Sequence, residues 1–459
     1  MYINTFLFGK VPIELWEYPV LALYLGIILV VSSRIKRRHL PKVPAYRFFL
    51  WGLWTKVLGG VTFGAIYIFY YRGGDTTSYF ECALAQANMF TYNLGDFFTT
   101  YFGGGTLEIK SLFNNETGTP MLYILRNDNA RIVYKLLTPF MLLGFKSYFL
   151  TTVLISVFTY GGLWRLYLMF VRYFPLFERK LAIAVLFMPS VVFWGSGILK
   201  DSFTLAATCY FIVATNNLIT RRKKWLWPAV MLLGSGYLIL LIKPYILLLL
   251  LPCTGVWVFY DRIKQIRNRF FRYIIVPVMY AFILGGSYLL LVAMGDRLGK
   301  FSLQNALQTA VVTQYDLKQD YYEGNSFDIG TLDGTFGDLV NKAPAATVAG
   351  LYRPMLGESS EPLMIIAGLE NFFILATTVL GLISVRRRKL VRLVADYPVL
   401  LYSLVFALMF AFMIGVTTSN FGALVRFKIP LIPLYMATVM VLVGHMRVNK
   451  TRRRLKFLR

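Results

Sequence analysis

The chain consists of long apolar segments that alternate with short clusters of lysine and arginine. The formal net charge is +26, and 57% of the residues are hydrophobic. The basic clusters are Arg34–Arg38, Arg172–Lys180, Arg221–Lys224, Arg262–Arg272, Arg386–Arg392 and Arg447–Arg459. Apolar runs of about 18 or more residues indicate helices that cross a bilayer, and basic short loops mark its cytoplasmic side. The pattern therefore predicts a polytopic membrane protein whose basic clusters all lie on the cytoplasmic side.

The apolar segments predict eleven membrane-spanning helices, so the predicted fold class is an all-α bundle forming one transmembrane domain over residues 1–459. The predicted spans are 15–33, 47–70, 148–171, 181–199, 203–220, 226–242, 245–260, 273–294, 363–385, 397–416 and 430–446. Glu14 and Glu17 precede the first span and Arg34–Arg38 follow it. We therefore expect the N-terminus outside and the C-terminus inside.

Two predicted extracytoplasmic loops, residues 71–147 and 295–362, are too long to be simple connections. Loops of such length usually carry function or structure of their own. In the first loop, Thr76–Phe90 is typical of an amphipathic helix on the membrane surface, with Tyr79, Phe80 and Leu84 on one side. Residues 132–145 are apolar but shorter than a span, so we expect an interfacial or re-entrant segment.

Several classes of function are disfavoured by the composition. Basic loops beside apolar helices are ordinary membrane topology, so the sequence pI of about 9.9 does not indicate a nucleic-acid partner. The three cysteines Cys82, Cys209 and Cys253 form no CxxC pair. Both histidines, His39 and His445, fall on the predicted cytoplasmic side. We therefore predict no disulfide scaffold, no zinc or histidine-ligated metal site, and no histidine base on the outer face.

The first candidate site follows the second predicted span, in the sequence Tyr71-Arg72-Gly73-Gly74-Asp75-Thr76-Thr77-Ser78-Tyr79. A carboxylate at the membrane boundary is suited to act as a general base toward a hydroxyl. Asp followed by Thr-Thr-Ser is equally typical of a helix N-cap. Asp75 is therefore predicted as a catalytic base, as a helix cap, or as both.

The second and third candidates are turns between apolar segments. Lys200 and Asp201 follow Trp194-Gly195-Ser196-Gly197-Ile198-Leu199, and ionisable residues near membrane depth are costly and often functional. The alternative is a solvated turn in which Asp201 caps the next helix. Lys243 precedes Pro244 at a helix break, where it binds a ligand or extends to the membrane surface.

The remaining candidates lie toward the C-terminus. Arg353 is in Tyr-Arg-Pro, and Arg426 and Lys428 precede the last span. Glu370 is an acid inside a predicted span, so we assign it a structural role with Lys56 or Arg426 as its partner. The predicted phosphate-binding residues are Arg72, Lys200, Lys243, Arg353, Arg426 and Lys428, and the predicted catalytic residues beside them are Asp75 and Asp201. Cations at one membrane level suit a phosphate or pyrophosphate at headgroup depth.

These motifs resemble those of bacterial envelope-polysaccharide membrane proteins, in particular polymerase-like and C-type glycosyltransferases. The similar segments are Gly-Asp-Thr-x-x-Tyr, Pro-Ser-x-x-x-Trp-x-Ser-Gly-x-x-Lys-Asp (Pro189 to Asp201), Lys-Pro-Tyr, Tyr-Arg-Pro before Leu-Glu-Asn, and Arg-Phe-Lys-x-Pro-x-x-Pro. The resemblance runs from about residue 70 to residue 433. It implies a location in the bacterial inner membrane and a polyprenyl-phosphate-linked or pyrophosphate-linked saccharide as the donor.

C-type enzymes keep an essential Asp in their first long outer loop, which would correspond to Asp75. This chain has an extra N-terminal span and a single Asp where some relatives carry a pair, so a divalent cation is left open as a cofactor. The expected function is sugar transfer to an acceptor hydroxyl, with Asp75 as base, Asp201 orienting Lys200, and membrane lipids as the surroundings. The alternatives are a flippase or transporter of lipid-linked or anionic saccharides, and an envelope acyl-transfer enzyme.

Overall fold

A computed structural model describes residues 5–8, 11–220, 224–265, 325–330, 336–384 and 396–457, together with positions 311, 312, 315 and 393. Within these residues the regular secondary structure is helical apart from an isolated bridge between Ser326 and Asn420 and one antiparallel hairpin, in which β1 (Thr5–Phe8) pairs with β2 (Val11–Glu14). The predicted all-α fold class is therefore confirmed for the described part of the chain.

The helices fall into two runs. The first run is α1 (Glu17–His39), α2 (Phe49–Ala65), α3 (Asp75–Tyr92), α4 (Leu94–Phe102), α5 (Leu107–Ser111), α6 (Leu122–Arg126), α7 (Asp128–Leu143), α8 (Tyr148–Tyr173), α9 (Glu178–Leu186), α10 (Pro189–Trp194), α11 (Lys200–Thr220), α12 (Leu226–Ile242) and α13 (Pro244–Gln265). The second run is α14 (Phe336–Tyr352), α15 (Pro362–Ser384), α16 (Pro398–Thr417), α17 (Phe421–Phe427) and α18 (Ile432–Phe457).

Six of the described helical segments are long and apolar enough to cross a membrane, as in a multi-pass membrane protein. They are Glu17–His39, Pro44–Tyr70, Tyr148–Tyr173, Lys200–Thr220, Pro362–Ile383 and Pro398–Thr417. The helices α17 and α18 are bent by 71° at a short break and make a seventh if they are counted as one span. These seven coincide with predicted spans. The apolar helical segments Leu226–Ile242 and Pro244–Tyr260 are shorter, and the predicted span at 273–294 lies outside the described residues.

The predicted single helix at 181–199 is wrong. The chain forms the nine-residue α9 and the six-residue α10 instead, separated at Phe187 and Met188. Pro189 explains the break, because proline has no amide donor and disfavours helical conformation at the residue before it. The helix α10 then begins at this proline, a position where no amide hydrogen is needed.

The chain divides into two compact units. The first comprises Met1–Leu168, Val191–Tyr210 and Tyr237–Lys243, and the second comprises Met169–Ser190, Phe211–Gly236 and Pro244–Arg459. The prediction of a single transmembrane domain stays a prediction. The predicted second loop, 295–362, is described only in part, at its C-terminal side.

The first predicted loop, residues 71–147, folds as the five helices α3 to α7 within the first unit. The predicted helix at Thr76–Phe90 is confirmed as α3. Its apolar side is not turned toward a membrane surface, however, because Tyr79 and Phe80 are buried in a core that includes Val133 and Tyr134 of α7. The amphipathic pattern of α3 therefore reflects packing inside the loop.

In the second unit, α14 and α16 approach each other closely through small residues. A Cβ atom added to Gly350 would overlap the backbone of Ala411, and one added to Gly415 would overlap the backbone of Ala346. The two contacts are reciprocal, and on each helix the two small residues are four positions apart. Such small residues let helices pack closely in an apolar medium.

We predict that Gly350→Leu destabilises the protein by at least about 1–3 kcal/mol, because the added side chain overpacks this contact. Gly337→Leu in the first turn of the same helix is the matched control, since a Cβ there meets nothing within 4 Å. Unfolding of the detergent-solubilised proteins by increasing SDS measures the difference. Superimposable unfolding curves for the two variants would contradict the close approach.

Candidate functional site

The Asp75 segment begins where the second span ends. The helix α2 continues as a π-helical turn, Ile66–Tyr70, and the next residues form a tight turn in which Arg72 and Gly74 have φ angles of 54° and 128°. Positive φ angles are unfavourable for residues that carry a Cβ atom, so a glycine is well suited to position 74 of this turn. Arg72 and Asp75 are both exposed. The turn thus presents a cation and a carboxylate three residues apart at the end of a span.

The prediction of Asp75 as the N-cap is wrong by one residue. Gly74 occupies the N-cap position, and α3 begins at Asp75. The hydroxyl of Thr77 donates to the Gly74 carbonyl at 2.9 Å and stabilises this start. A carboxylate in the first helical turn is favoured by the helix dipole. Asp75 therefore keeps an exposed side chain, and the prediction that it acts as a base stays open.

The segment from Trp194 to Leu199 is a buried turn between α10 and α11. Its backbone carbonyls are held by side chains from distant helices. The Lys56 ammonium in α2 donates to the Gly195 carbonyl at 2.5 Å and to Ser196 Oγ at 3.2 Å. Ser156 Oγ in α8 donates to the Ser196 carbonyl at 2.9 Å. Lys200, at the start of α11, is the partly exposed end of this otherwise buried turn.

The structure brings the Asp75 and Lys200 segments to the same aromatic residues at the end of the second span. The Tyr67 ring lies 4.6 Å from the Phe63 ring and 6.2 Å from the Trp194 ring, measured between centroids. A Cβ atom added to Gly74 would meet the Tyr67 ring, and one added to Gly197 would overlap the Phe63 ring. Both glycine turns therefore pack on Phe63 and Tyr67, in the first unit.

Asp201 and Lys243 form a buried ion pair. Asp201 is in the first turn of α11 and is 1% exposed, and Lys243 is at the break between α12 and α13 and is 4% exposed. Their side chains are in direct contact. The expectations of a solvated turn at Asp201 and of a lysine extending to the membrane surface are therefore wrong, because each charge is neutralised inside the protein by the other.

In the second unit, Arg353 lies at the end of α14 with a half-buried side chain. Its Nε atom is 3.3 Å from Glu358 Oε1, and its guanidinium centre is 5.3 Å from the centroid of the Phe327 ring. A carboxylate and an aromatic face hold the guanidinium in place while part of it stays exposed. This arrangement fits the predicted role of Arg353 in binding an anion.

Lys428 and Asn371 are buried and contact the backbone of Arg353 and Pro354. The Lys428 ammonium donates to the Arg353 carbonyl at 3.1 Å and to the side-chain oxygen of Asn371. The Asn371 amide donates in turn to the Pro354 carbonyl at 2.8 Å. Lys428 was predicted to bind phosphate directly, but its ammonium hydrogen-bonds the backbone that carries Arg353. Arg426 lies two residues before it, in the last turn of α17, and is half-buried.

Glu370 is buried inside α15, as predicted, but its predicted partners are wrong. Its two carboxylate oxygens accept hydrogen bonds from the backbone N–H and the hydroxyl of Ser190, at 2.8 and 2.7 Å. Lys428 is the cation that acts on it electrostatically. Lys56 is instead bound to Gly195 and Ser196. Sequence reasoning missed Ser190 because nothing local relates residues 180 positions apart.

In the described part of the chain, no group of three or more His, Cys, Asp or Glu side chains could hold a metal ion. The three cysteines are free and buried. The structure therefore places Arg72 and Asp75 on one turn and Lys200 after another, and the two turns pack on neighbouring aromatic residues of the first unit. In the second unit it joins Arg353, Glu358 and Lys428. Asp201 with Lys243, and Glu370 with Ser190, are interior pairs.

Comparison with known proteins finds no match: no family model, no curated protein and no solved structure is similar to this chain.

We predict that Asp201→Asn destabilises the protein by about 3–5 kcal/mol, because removing one member of a buried ion pair leaves the other charge uncompensated. The double variant Asp201→Asn, Lys243→Met removes that charge and should recover a large part of the loss. Thermal unfolding in lipid nanodiscs measures all three proteins.

Asp128→Asn is the matched control, because Asp128 is 76% exposed in its ion pair with Arg131. Exposed pairs contribute about 0–1 kcal/mol, so this variant should unfold almost like the wild type. Equal losses for Asp201→Asn and for the double variant would contradict the buried ion pair.

Proposed function

We propose that the chain is a bacterial inner-membrane glycosyltransferase or polysaccharide polymerase. It transfers sugar from a polyprenyl-phosphate-linked or pyrophosphate-linked donor to an acceptor hydroxyl at the extracytoplasmic face. The observation that carries the proposal is that exposed Asp75 shares a turn with Arg72, and that this turn and the turn before Lys200 pack on the neighbouring rings of Tyr67 and Phe63 in one span. The membrane-length helices support the setting in which a lipid-linked donor is used.

The proposed topology has eleven spans, with the N-terminus outside and the C-terminus inside. Beyond the seven helical segments of full length, it requires the shorter apolar segments Leu226–Ile242 and Pro244–Tyr260, the broken pair α9 and α10, and the segment at 273–294. A 17-residue helix such as α12 is about 25 Å long, which is close to the thickness of the hydrocarbon core. With eleven spans, every basic cluster falls on the same side of the membrane, as expected for cytoplasmic loops, and this supports the count.

In the proposed reaction, the Asp75 carboxylate takes the proton of the acceptor hydroxyl as that oxygen attacks the anomeric carbon of the donor. The bond between the anomeric carbon and the phosphate oxygen breaks, and its electron pair leaves with the polyprenyl phosphate. Arg72 and Lys200 stabilise the negative charge that develops on this leaving group. The proton stays on Asp75 until it is released to water.

Three predicted site residues, Asp201, Lys243 and Lys428, take positioning roles in this proposal. Asp201 and Lys243 are occupied by each other, so they fix the start of α11 from which Lys200 extends. In the second unit, Lys428 and Asn371 hold the backbone of Arg353 and Pro354. Arg353 and Arg426 remain the proposed phosphate-binding residues of that unit.

The decisive experiment is native mass spectrometry of the protein purified gently from its own membranes. We expect Asp75→Asn to retain more lipid-linked saccharide than the wild type, because the donor binds but the acceptor hydroxyl is not deprotonated. Glu116→Gln, an exposed carboxylate of the same loop, should behave like the wild type. Equal amounts of saccharide lipid on all three proteins would favour the flippase alternative and contradict the assignment of a base.

We expect Arg353→Gln to affect the binding of lipid-linked saccharide and Lys428→Met to affect the stability of the protein. We expect Arg353→Gln to reduce the co-purified lipid-linked saccharide while the melting temperature stays close to that of the wild type, because its side chain is partly exposed. Lys428→Met should lower the melting temperature, since it leaves the Arg353 carbonyl and the Asn371 amide oxygen without their buried donor. Undiminished lipid binding by Arg353→Gln would remove this residue from the phosphate site.

A further inference from the structure

The first two spans fix one side of the membrane as a reference. The helix α1 ends at His39, and the second span begins at Pro44, so the two form a helical hairpin with a short connection. Glu17 at the start of α1 and Tyr70 at the end of the second span therefore lie on the same side of the membrane. Parts of the first loop can be placed by their contacts with these two ends.

Both ends of α3 are held at this membrane level. Its first residue, Asp75, follows Tyr70 after a turn of four residues. At its other end, Thr91 Oγ1 accepts a hydrogen bond from the Lys146 ammonium at 3.2 Å. The neighbouring Phe145 ring lies 6.5 Å from the ring of Tyr24, which is about 10 Å inside α1. The helix α3 therefore runs roughly along the membrane surface.

The end of α7 reaches into the same apolar layer. The Tyr24 hydroxyl donates to the Leu143 carbonyl at 2.7 Å, so Leu143 lies beside a residue inside a span. The side chains of Leu143 and Phe145 are 62% and 59% exposed. Because α1 is apolar and almost entirely uncovered by protein, the medium around these side chains is lipid. The predicted interfacial character of residues 132–145 fits this placement.

The helix α4 lies alongside α7. Near its C-terminal end, the Tyr101 hydroxyl donates to the Lys135 carbonyl at 3.1 Å, and the Lys135 ammonium donates to the Gly103 carbonyl at 2.7 Å. Its N-terminal end follows Thr91, which is bound to Lys146 just beyond α7. The helix α4 also packs back along α3, whose Gln86 amide donates to Thr100 Oγ1 at 2.9 Å, so α4 lies at the membrane level of α3.

One edge of α4 is apolar and exposed. Leu94, Phe98 and Phe102 recur at every fourth position and are 54%, 53% and 76% exposed. The Phe98 and Phe102 rings are parallel, with centroids 6.3 Å apart. The opposite side of the helix, with Phe97 and Thr100, is buried against the loop. A strip of this kind on a helix at membrane level is typical of interfacial helices.

We propose that the interfacial edge, defined as Leu94, Phe98, Phe102, Leu143 and Phe145, embeds the first loop in the lipid leaflet on the Glu17 side. Its partner is the bilayer itself, at the boundary between headgroups and acyl chains. The interfacial edge is continuous with the lipid-facing side of α1 through Tyr24, which favours lipid over a protein partner. This anchoring fixes the height of the loop that begins at Asp75, and it does not depend on the reaction proposed above.

Single-cysteine labelling tests the interfacial edge in the full chain, because the three native cysteines are buried. Leu94→Cys, Phe98→Cys and Phe102→Cys are labelled with a polarity-sensitive fluorophore in nanodiscs that contain lipids brominated near the headgroup. We expect most of the fluorescence to be lost by quenching from these lipids, with little quenching by iodide in the buffer. Thr99→Cys, on the adjacent polar side of α4, should show the reverse.

Labels at positions 98 and 102 that behave like the Thr99 label would overturn the proposal. So would labels shielded from both quenchers, since this outcome means that protein covers the strip. A second measurement uses the unaltered chain, so that it does not depend on the variants folding. Lipids with a photoreactive group near the headgroup should cross-link to the peptide that contains residues 94–102, and the absence of these cross-links while α1 is labelled would contradict the proposal.

Discussion

The structure depends on one constraint: a polar group inside an apolar helix bundle must find its partner within the protein. Three of the four buried lysines in the described residues satisfy this constraint in related ways. Lys56 bonds the Gly195 carbonyl, Lys243 pairs with Asp201, and Lys428 bonds the Arg353 carbonyl. In each case the ammonium group stabilises a place where a helix starts, ends or is interrupted. The breaks themselves would otherwise leave backbone groups unsatisfied.

This constraint explains why residues suited to chemistry cluster near the helix breaks. A helix break allows a charged side chain to become accessible, and Lys200 is partly exposed after the buried turn at Gly195–Leu199. The buried lysines hold that turn and the Arg353 segment in a defined conformation. Exposed Asp75 and Arg72 differ from these interior groups, since their turn lies at the end of a span. The proposed chemistry therefore uses the exposed residues, and the buried ones position them.

Local sequence patterns were sufficient for much of the fold. Hydrophobic runs predicted the long helices, and the glycines around Asp75 and Ser196 indicated turns. The prediction of a single span at 181–199 was wrong because it relied on the apolar composition of the segment and neglected the helix-breaking effect of Pro189. The interior partners could not be predicted, since Glu370 with Ser190 and Lys56 with Gly195 are set by packing between segments far apart in the chain. Apolar periodicity also could not distinguish α3, which packs on protein, from α4, whose apolar edge is exposed.

We propose that the turns at Asp75 and Lys200 form a phosphate site at the end of the second span. The most direct test of this proposal is an electron cryomicroscopy structure of the protein in lipid nanodiscs with polyprenyl phosphate bound. We expect phosphate density within hydrogen-bonding distance of the Arg72 guanidinium and the Lys200 ammonium, with the Asp75 carboxylate beside it. Phosphate density remote from both cations would contradict the proposal.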